Sequence, residues 1–439
     1  MSPSDALSWL QWEAWDFAIG AWETRHSLFM RFALFGALLA AIVVAASALP
    51  ARARSWVLVA ASVASIALLG SPRLAAVALA YSVVLYATTE YVPGRAGTAA
   101  AWGLLIALTA YPALLPADVL VGNTTDMAEF WAFATNVWWL RGVAYVVDRR
   151  ARGTPVRRID EFLAATLFFP TFVNGPIETT EQLADHRRRG PIVDTWDDLR
   201  SYAALLPGCA ARFAWGVAKV LVATFYLGQD NETIFATSGT SVGHVRLWLW
   251  AVELYFTFYV IFSGWTDVAI SLARVVGYEI GENFDAPWRA RSVGEFWRRW
   301  HISFGLWLRN YVYIPLGGNR RHAALNVCAT FLVSALWHVW GALKVLGIEG
   351  YPPIAWTGFI VWGLMNAFGQ IAARRWNDLA RLEPLRARIR DTVPAAVRDR
   401  ANQAMAFAFV ATAWIPFFLP PWIDPDAFWR IFRRMLYLA

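Results

Sequence analysis

Residues 323–343 read Ala323-Ala-Leu-Asn-Val-Cys-Ala-Thr-Phe-Leu-Val-Ser-Ala-Leu-Trp-His-Val-Trp-Gly-Ala-Leu343, a run without one Asp, Glu, Lys or Arg. A helix of this length extends about 30 Å, enough to cross the hydrocarbon core of a bilayer. The run therefore predicts a membrane-spanning helix, and His338 is the ionisable group inside it. Charged residues within spans are disfavoured by ~2.5–3.5 kcal/mol on insertion scales, a neutral imidazole by less. At helical spacing Ser334, Ala335, Gly341 and Ala342 share the face of His338. A face of small residues leaves room beside the imidazole either for a substrate or for a closely packed helix.

The rest of the chain has the same character. Of its 439 residues 58% are hydrophobic and 16% charged, where soluble proteins average roughly 25% charged. Mean hydropathy is +0.40. That is more apolar surface than one soluble core can hide, and a bilayer is its natural solvent. Apolar runs of spanning length lie at 28–49, 55–70, 74–91, 98–116, 128–147, 210–228, 244–262, 323–343, 353–373 and 403–423, with less regular regions at 160–177 and 264–315. The expected fold is all-α and integral to the membrane, with roughly ten to twelve hydrophobic helices, some broken or re-entrant. Neither low-complexity tracts nor repeats interrupt it, so residues 1–439 are expected to form a single polytopic domain.

The net charge of +7 follows from 39 basic and 32 acidic residues. The basic residues flank apolar runs, which points to orientation and anionic headgroups rather than nucleic acid. Arg52 and Arg54 lie in one turn, and Arg149, Arg150, Arg152, Arg157 and Arg158 in another. The N-terminal segment and the 118–126 loop are acidic. These signs alternate if the N-terminus is outside and the Arg-rich loops are cytoplasmic, with Arg187 to Arg189 and 374–400 as further cytoplasmic candidates. Asp5, Glu13, Asp16 and Glu23 precede the first apolar run, unlike a signal peptide, so that run is expected to remain. Cys209 and Cys328 show neither a disulfide framework nor metal-ligand spacing.

Three further stretches stand out. Phe168-Phe-Pro-Thr-Phe-Val-Asn-Gly-Pro-Ile177 is apolar yet holds two prolines and a glycine. Broken backbone at membrane depth persists only where protein or a water-filled cavity satisfies it, so this segment is expected to line the interior, the alternative being a surface loop. Glu253, Thr257, Gly264, Asp267, Ser271 and Arg274 form a polar stripe on an otherwise apolar helix, facing the interior or pairing internally, for example Asp267 with Arg274. In 296–311, Phe296, Trp297, Trp300, Phe304, Trp307, Leu308 and Tyr311 fall on one helical stripe, with Arg298 and Arg309 opposite and His301 at its edge. That pattern predicts one amphipathic helix lying in the interface, its arginines meeting either donor or lipid phosphates. Walker, Rossmann and zinc signatures are absent, which disfavours an ATP-driven pump and a metalloenzyme.

Several motifs in order resemble a known family. They are Ser263-Gly-Trp-Thr-Asp-Val-Ala-Ile-Ser-Leu-Ala-Arg274, Glu282-Asn-Phe284, Glu295-Phe-Trp-Arg-Arg-Trp-His-Ile-Ser303, Trp307-Leu-Arg-Asn-Tyr-Val-Tyr-Ile-Pro-Leu-Gly-Gly-Asn-Arg320 and Leu336-Trp-His338. This series is similar to the membrane-bound O-acyltransferase superfamily, in the bacterial branch of alginate O-acetyltransferase and teichoic-acid D-alanyl transferase. Phe168 to Ile177 resembles the Phe-Phe-Pro…Gly-Pro-Ile segment of that branch. The likeness covers about 130–345. Val339, with Trp340 beyond it, stands where the family usually has Gly, and Trp265 where it usually has Tyr.

The resemblance implies helices ringed around a funnel that narrows at a catalytic histidine, here His338, with an accessory histidine, here His301. It implies an acyl thioester donor, acetyl-CoA or a phosphopantetheine carrier protein, used from the cytoplasmic side of a bacterial inner membrane, and a hydroxyl acceptor outside. Asp267, Glu282, Asn283, Trp297, Arg298, Arg309, Asn310, Ser334 and Trp337 are the candidate substrate-binding or supporting residues. Neither a metal nor a bound cofactor is expected. The expected partners are lipid, the donor and an extracytoplasmic partner transferase, not nucleic acid. Transfer of an amino-acyl or lipid acyl group from a carrier protein is the alternative within the class. A non-catalytic transporter or envelope-complex scaffold is the alternative outside it.

Overall fold

A computed structural model describes residues 36–38, 41, 51–69, 72–114, 125–172, 174–189, 196–227, 234, 237, 240–350, 356–418, 426–435 and 437. The acidic N-terminal segment, most of the 28–49 run and residues 118–124 lie outside the described residues. In chain order the helices are α1 (Ala51–Leu69), α2 (Pro72–Tyr91), α3 (Gly94–Leu114), α4 (Thr125–Arg150), α5 (Ile159–Thr166), α6 (Thr180–Arg189), α7 (Trp196–Tyr226) and α8 (His244–Val275). They continue with α9 (Val293–Arg299), α10 (Ile302–Leu308), α11 (Ala323–Gly350), α12 (Thr357–Asp378), α13 (Glu383–Thr392), α14 (Ala395–Phe417) and α15 (Asp426–Met435). Among the described residues the β pairing is confined to one isolated bridge, Phe284 to Trp300. Among the described residues four stretches are long and apolar enough to cross a membrane: Pro72–Tyr91, Arg200–Ala223, His244–Val275 and Ala323–Ala342.

Local sequence explains the boundaries. Pro72 opens α2, where a missing N–H does no harm. Pro93 and Gly94, the latter at φ +63°, end it and start α3. The long α7 and α8 pack together, and their backbones touch where Gly216 meets Gly264: a Cβ on either would lie 2.7 Å from the other's carbonyl oxygen. Small residues allow this close approach where lipid gives helices no hydrophobic drive to associate.

The Pro- and Gly-containing segment is interior, as its sequence suggests. Phe168, Phe169 and Thr171 are fully buried, α5 ends at Thr166, and a single 3-10 turn spans Phe169–Thr171. Gly175, at φ +136°, abuts α8 so closely that a Cβ there would lie 2.8 Å from Ala269 Cβ. Protein satisfies the broken backbone. Arg141 of α4, 1% exposed, donates Nε to Glu178 O at 3.1 Å and Nη1 to Thr166 O at 3.4 Å, and its Nη2 bonds Thr171 Oγ1.

Residues 296–311 correct the expectation of one interfacial helix. α9 stops at Arg299, Trp300 is extended (φ −110°, ψ 129°), and His301 is left-handed (φ 44°, ψ 54°) before α10 begins. The chain breaks because residues 283–285 pair with 299–302: Asp285 N–H bonds Arg299 O at 3.0 Å and Ile302 N–H bonds Asn283 O at 3.0 Å. The aromatic stripe faces the protein, not the interface: Phe296, Trp300, Phe304, Trp307 and Leu308 are buried. Arg298 and Arg309 therefore share no helical face; Arg298 is on α9 and Arg309 opens a π-helical turn, Arg309–Tyr313.

Candidate functional site

His338 and His301 come together where two apolar clusters meet. Phe304 of α10 belongs to one cluster, and Val339 and Trp362 to the other. The Phe304 ring centroid lies 5.2 Å from the His301 ring and 6.2 Å from the His338 ring. His338 is further enclosed by Phe417 at 5.0 Å, Trp362 at 5.4 Å and Phe359 at 5.8 Å. Phe262 of α8 packs against His301 at 4.7 Å. Both imidazoles remain partly accessible. Such walls strip water from the rings while offering few groups to compete for them.

The His338 tautomer follows from its backbone contact. Its Nδ1 lies 2.7 Å from Ser334 O, one turn earlier. A carbonyl can only accept, so in the neutral ring Nδ1 carries the proton and Nε2 keeps a lone pair. Ser334 thus serves through its carbonyl and is itself buried. Part of the small-residue face is used for packing. Gly363 of α12 sits so close that a Cβ there would lie 3.0 Å from Phe331 O and 3.1 Å from Ala335 Cβ. Of the two readings of that face, helix packing is realised at Ala335.

His301 is held from below by Asn283. Asn283 Oδ1 accepts from Ser303 Oγ at 2.6 Å and Ser303 N–H at 3.2 Å, and faces His301 Nδ1 at 3.4 Å. The Ser303 donors fix Oδ1 as the acceptor, so Nδ1 of His301 is the donor and Nε2 again holds the lone pair. Asn283 also caps α10 from outside its sequence. The first amides of a helix lack intrahelical partners, and Ile302 and Ser303 find theirs on this one residue. The broken segment joins in: Ile177 N–H bonds Ser303 Oγ at 2.9 Å, and Gly281 N–H bonds Glu178 Oε1 at 3.0 Å.

The other candidates lie at varied distances from this pair. Asp267 is not paired with Arg274. It takes Arg212 at 2.9 Å and Lys219 at 2.6 Å, while Arg274 pairs with Glu279. Glu282 is bound by Arg212. Trp297 donates Nε1 to Asn366 Oδ1 at 3.0 Å and packs on Trp362, which itself touches His338. Trp337 and Trp340 pack on Trp139, so the bulk of Trp340 is taken up on the α4 side. Arg298 and Arg309 are exposed. Asn310 O accepts from Arg152 Nη2 at 2.6 Å, and Tyr311 OH donates to Asp148 Oδ2 at 2.8 Å, which ties the π-helical turn to the end of α4.

Arg141, Arg212, Lys219 and Ser303 are members of this constellation beyond the candidate set. The signal for three of them is present in the sequence: Arg141 lies within the apolar run 128–147, and Arg212 and Lys219 within 210–228. An ionisable group inside an apolar run is a signal for an interior site, for these three as for His338. Among the described residues no cluster of His, Cys, Asp and Glu is arranged to hold a metal ion.

A family model described as the membrane-bound O-acyltransferase family matches residues 123–349. The chain is 32% identical over 298 residues to a probable alginate O-acetylase of Azotobacter vinelandii, covering 67% of this chain and 51% of that protein. It is 28% identical over 257 residues to a peptidoglycan O-acetyltransferase of Helicobacter pylori, covering 57% and 42%. It is 26% identical over 246 residues to a teichoic acid D-alanyltransferase of Bacillus subtilis, covering 52% and 55%. The chain spans about half the length of these curated relatives.

Proposed function

The chain belongs to the membrane-bound O-acyltransferase family, and we propose that it moves an acyl group, acetyl in the first instance, from a cytoplasmic thioester to a hydroxyl of an extracytoplasmic cell-envelope polysaccharide. The observation that carries this reading is the pair of imidazoles at Phe304, each with Nδ1 facing a carbonyl-type acceptor. Three relatives whose names describe acyl transfer to envelope polymers support the acceptor class.

The mechanism needs one base. An alcohol is a poor nucleophile at neutral pH. In this proposal Nε2 of His338 removes the hydroxyl proton as the oxygen attacks the thioester carbonyl. The tetrahedral intermediate collapses with cleavage of the C–S bond, and the proton passes from the imidazolium to the departing thiolate. Ester and free thiol form, and the neutral ring returns. A positioned base of this kind contributes about 10²–10⁴-fold. His301 is assigned to orient the acceptor or donor beside it, and its Nε2 is left available for that by the bond to Asn283.

The 148–158 loop and the 309–313 turn are joined by Arg152 and Asn310 at the C-terminal end of α4. Arg excess assigns that end to the cytoplasm of a bacterial inner membrane. Exposed Arg298 and Arg309 are then assigned to phosphates of acetyl-CoA or a phosphopantetheine carrier. The ring of roughly ten to twelve helices around a funnel belongs to the same proposal, since spans of ~20 residues recur along the chain. Mass spectrometry of envelope glycans tests the whole reading. Ester-linked acyl groups should be present in cells making the chain and lost in cells making His338→Ala. Identical glycan profiles would overturn it.

A further inference from the structure

The polar support of His301 does not end at Asn283. Arg212 of α7 donates Nε to Asp267 Oδ1 at 2.9 Å and closes a fork on Glu282, Nη1 to Oε1 at 2.7 Å and Nη2 to Oε2 at 2.6 Å. Glu282 is the residue before Asn283. Lys219, two turns along α7, takes the other Asp267 oxygen at 2.6 Å and lies over the Trp215 ring at 5.8 Å. Two cations and two carboxylates therefore balance inside and beside the spans Arg200–Ala223 and His244–Val275. Charges at such positions are disfavoured unless a function retains them.

Docking α7 to α8 does not explain Arg212. The Gly216–Gly264 contact already brings the two helices together, and Lys219 already gives Asp267 a counter-charge. What Arg212 adds is a third element. A planar guanidinium can meet two carboxylates lying in different directions, which an ammonium cannot do with the same geometry. It spans from α8 to the 281–284 turn, and that turn carries the amide that caps α10 and faces His301.

We infer that Arg212 is a positioning residue, which acts through Glu282 to fix the Asn283 turn and thereby the ring orientation of His301. The inference rests on the reading of His301 as part of the site, and the test separates the two. Hydrogen–deuterium exchange is measured on the purified full chain in detergent, and thiol release from acetyl-CoA is followed in inverted membrane vesicles that retain envelope polymer. Arg212→Met should raise exchange at the Ile302 and Ser303 amides, while Lys219→Met, which also removes a partner of Asp267, should leave them protected. Turnover should fall about tenfold in Arg212→Met, within the up to ~10²-fold that a ~1 Å misplacement of an orienting group can cost, with the KM for acetyl-CoA within about twofold of its starting value. Arg212→Lys keeps the charge without the fork, should lie between the two, and serves as the readout if the Met variant does not accumulate. The Arg212→Met, Asn283→Ala double variant should be no slower than Asn283→Ala alone, because residues acting through one link are not additive. Unchanged protection at 302–303, equal losses in Lys219→Met, or additive losses in the double variant would each overturn the inference. If the unaltered chain releases no thiol from acetyl-CoA, the proposed donor falls, and the exchange comparison still decides the role of Arg212.

Discussion

His338 Nδ1 and the carbonyl oxygen of Ser334 stand 2.7 Å apart within one turn of α11. This contact leaves Nε2 as the basic atom of the neutral ring. Solid-state ¹⁵N spectra of the labelled protein in lipid should therefore show His338 protonated at Nδ1. A ring protonated at Nε2 would remove the base from the proposed mechanism.

Arg141 should be a folding residue rather than a chemical one. Its guanidinium bonds the Thr166 carbonyl at the end of α5 and the Glu178 carbonyl beyond the broken segment. Arg141→Leu removes the charged donor from both carbonyls, and each such hydrogen bond is worth about 1.5–3 kcal/mol. Thermal unfolding in detergent should shift well downward, with Arg141→Lys intermediate. An unshifted midpoint would show that the broken segment is held by other means.

Gly363 sets the spacing between α11 and α12. A Cβ there would press on Phe331 O at 3.0 Å and Ala335 Cβ at 3.1 Å, and backbone cannot yield as a flexible side chain would. Gly363→Leu should destabilise the protein by about 1–3 kcal/mol through overpacking. It should also reduce turnover, because Phe359 and Trp362 of the same helix wall the His338 ring. Wild-type stability together with wild-type turnover would contradict this placement.

Arg298 and Arg309 belong to different elements, so they should act independently. A hydrogen bond to a charged group is worth ~1.5–3 kcal/mol, and each single alanine variant should raise the KM for acetyl-CoA about tenfold or more. The two effects should add, as they do for separated sites. Kinetics in detergent free of anionic lipid check this. An unchanged KM there would assign both arginines to lipid headgroups instead.

Much of this architecture is legible in the sequence because the bilayer imposes one strong rule. Apolar length marks Pro72–Tyr91 and Ala323–Ala342 as candidate spans, and the prolines and glycine of 168–177 mark an interior break. The break at His301 is different in kind. Residues 296–311 keep helical periodicity across it, so nothing local signals that Trp300 will pair with Phe284. That pairing is a tertiary competition, in which the Asn283 turn captures the amide of Ile302. The Asp267 partner is equally ambiguous in sequence: Arg274 lies on the same helix at matching spacing, whereas Arg212 and Lys219 come from α7. Sequence spacing sees neighbours along one helix and not the helix packed beside it.

In the proposed mechanism Nε2 of His338 is the base. Its most direct test is the rate of O-acyl transfer to envelope polymer in membranes containing equal amounts of folded His338→Ala and unaltered protein. His338→Ala should lose at least about 10²-fold, the lower bound for a positioned general base, with membrane insertion and thermal midpoint preserved. Near-normal transfer by the well-folded alanine variant would contradict it.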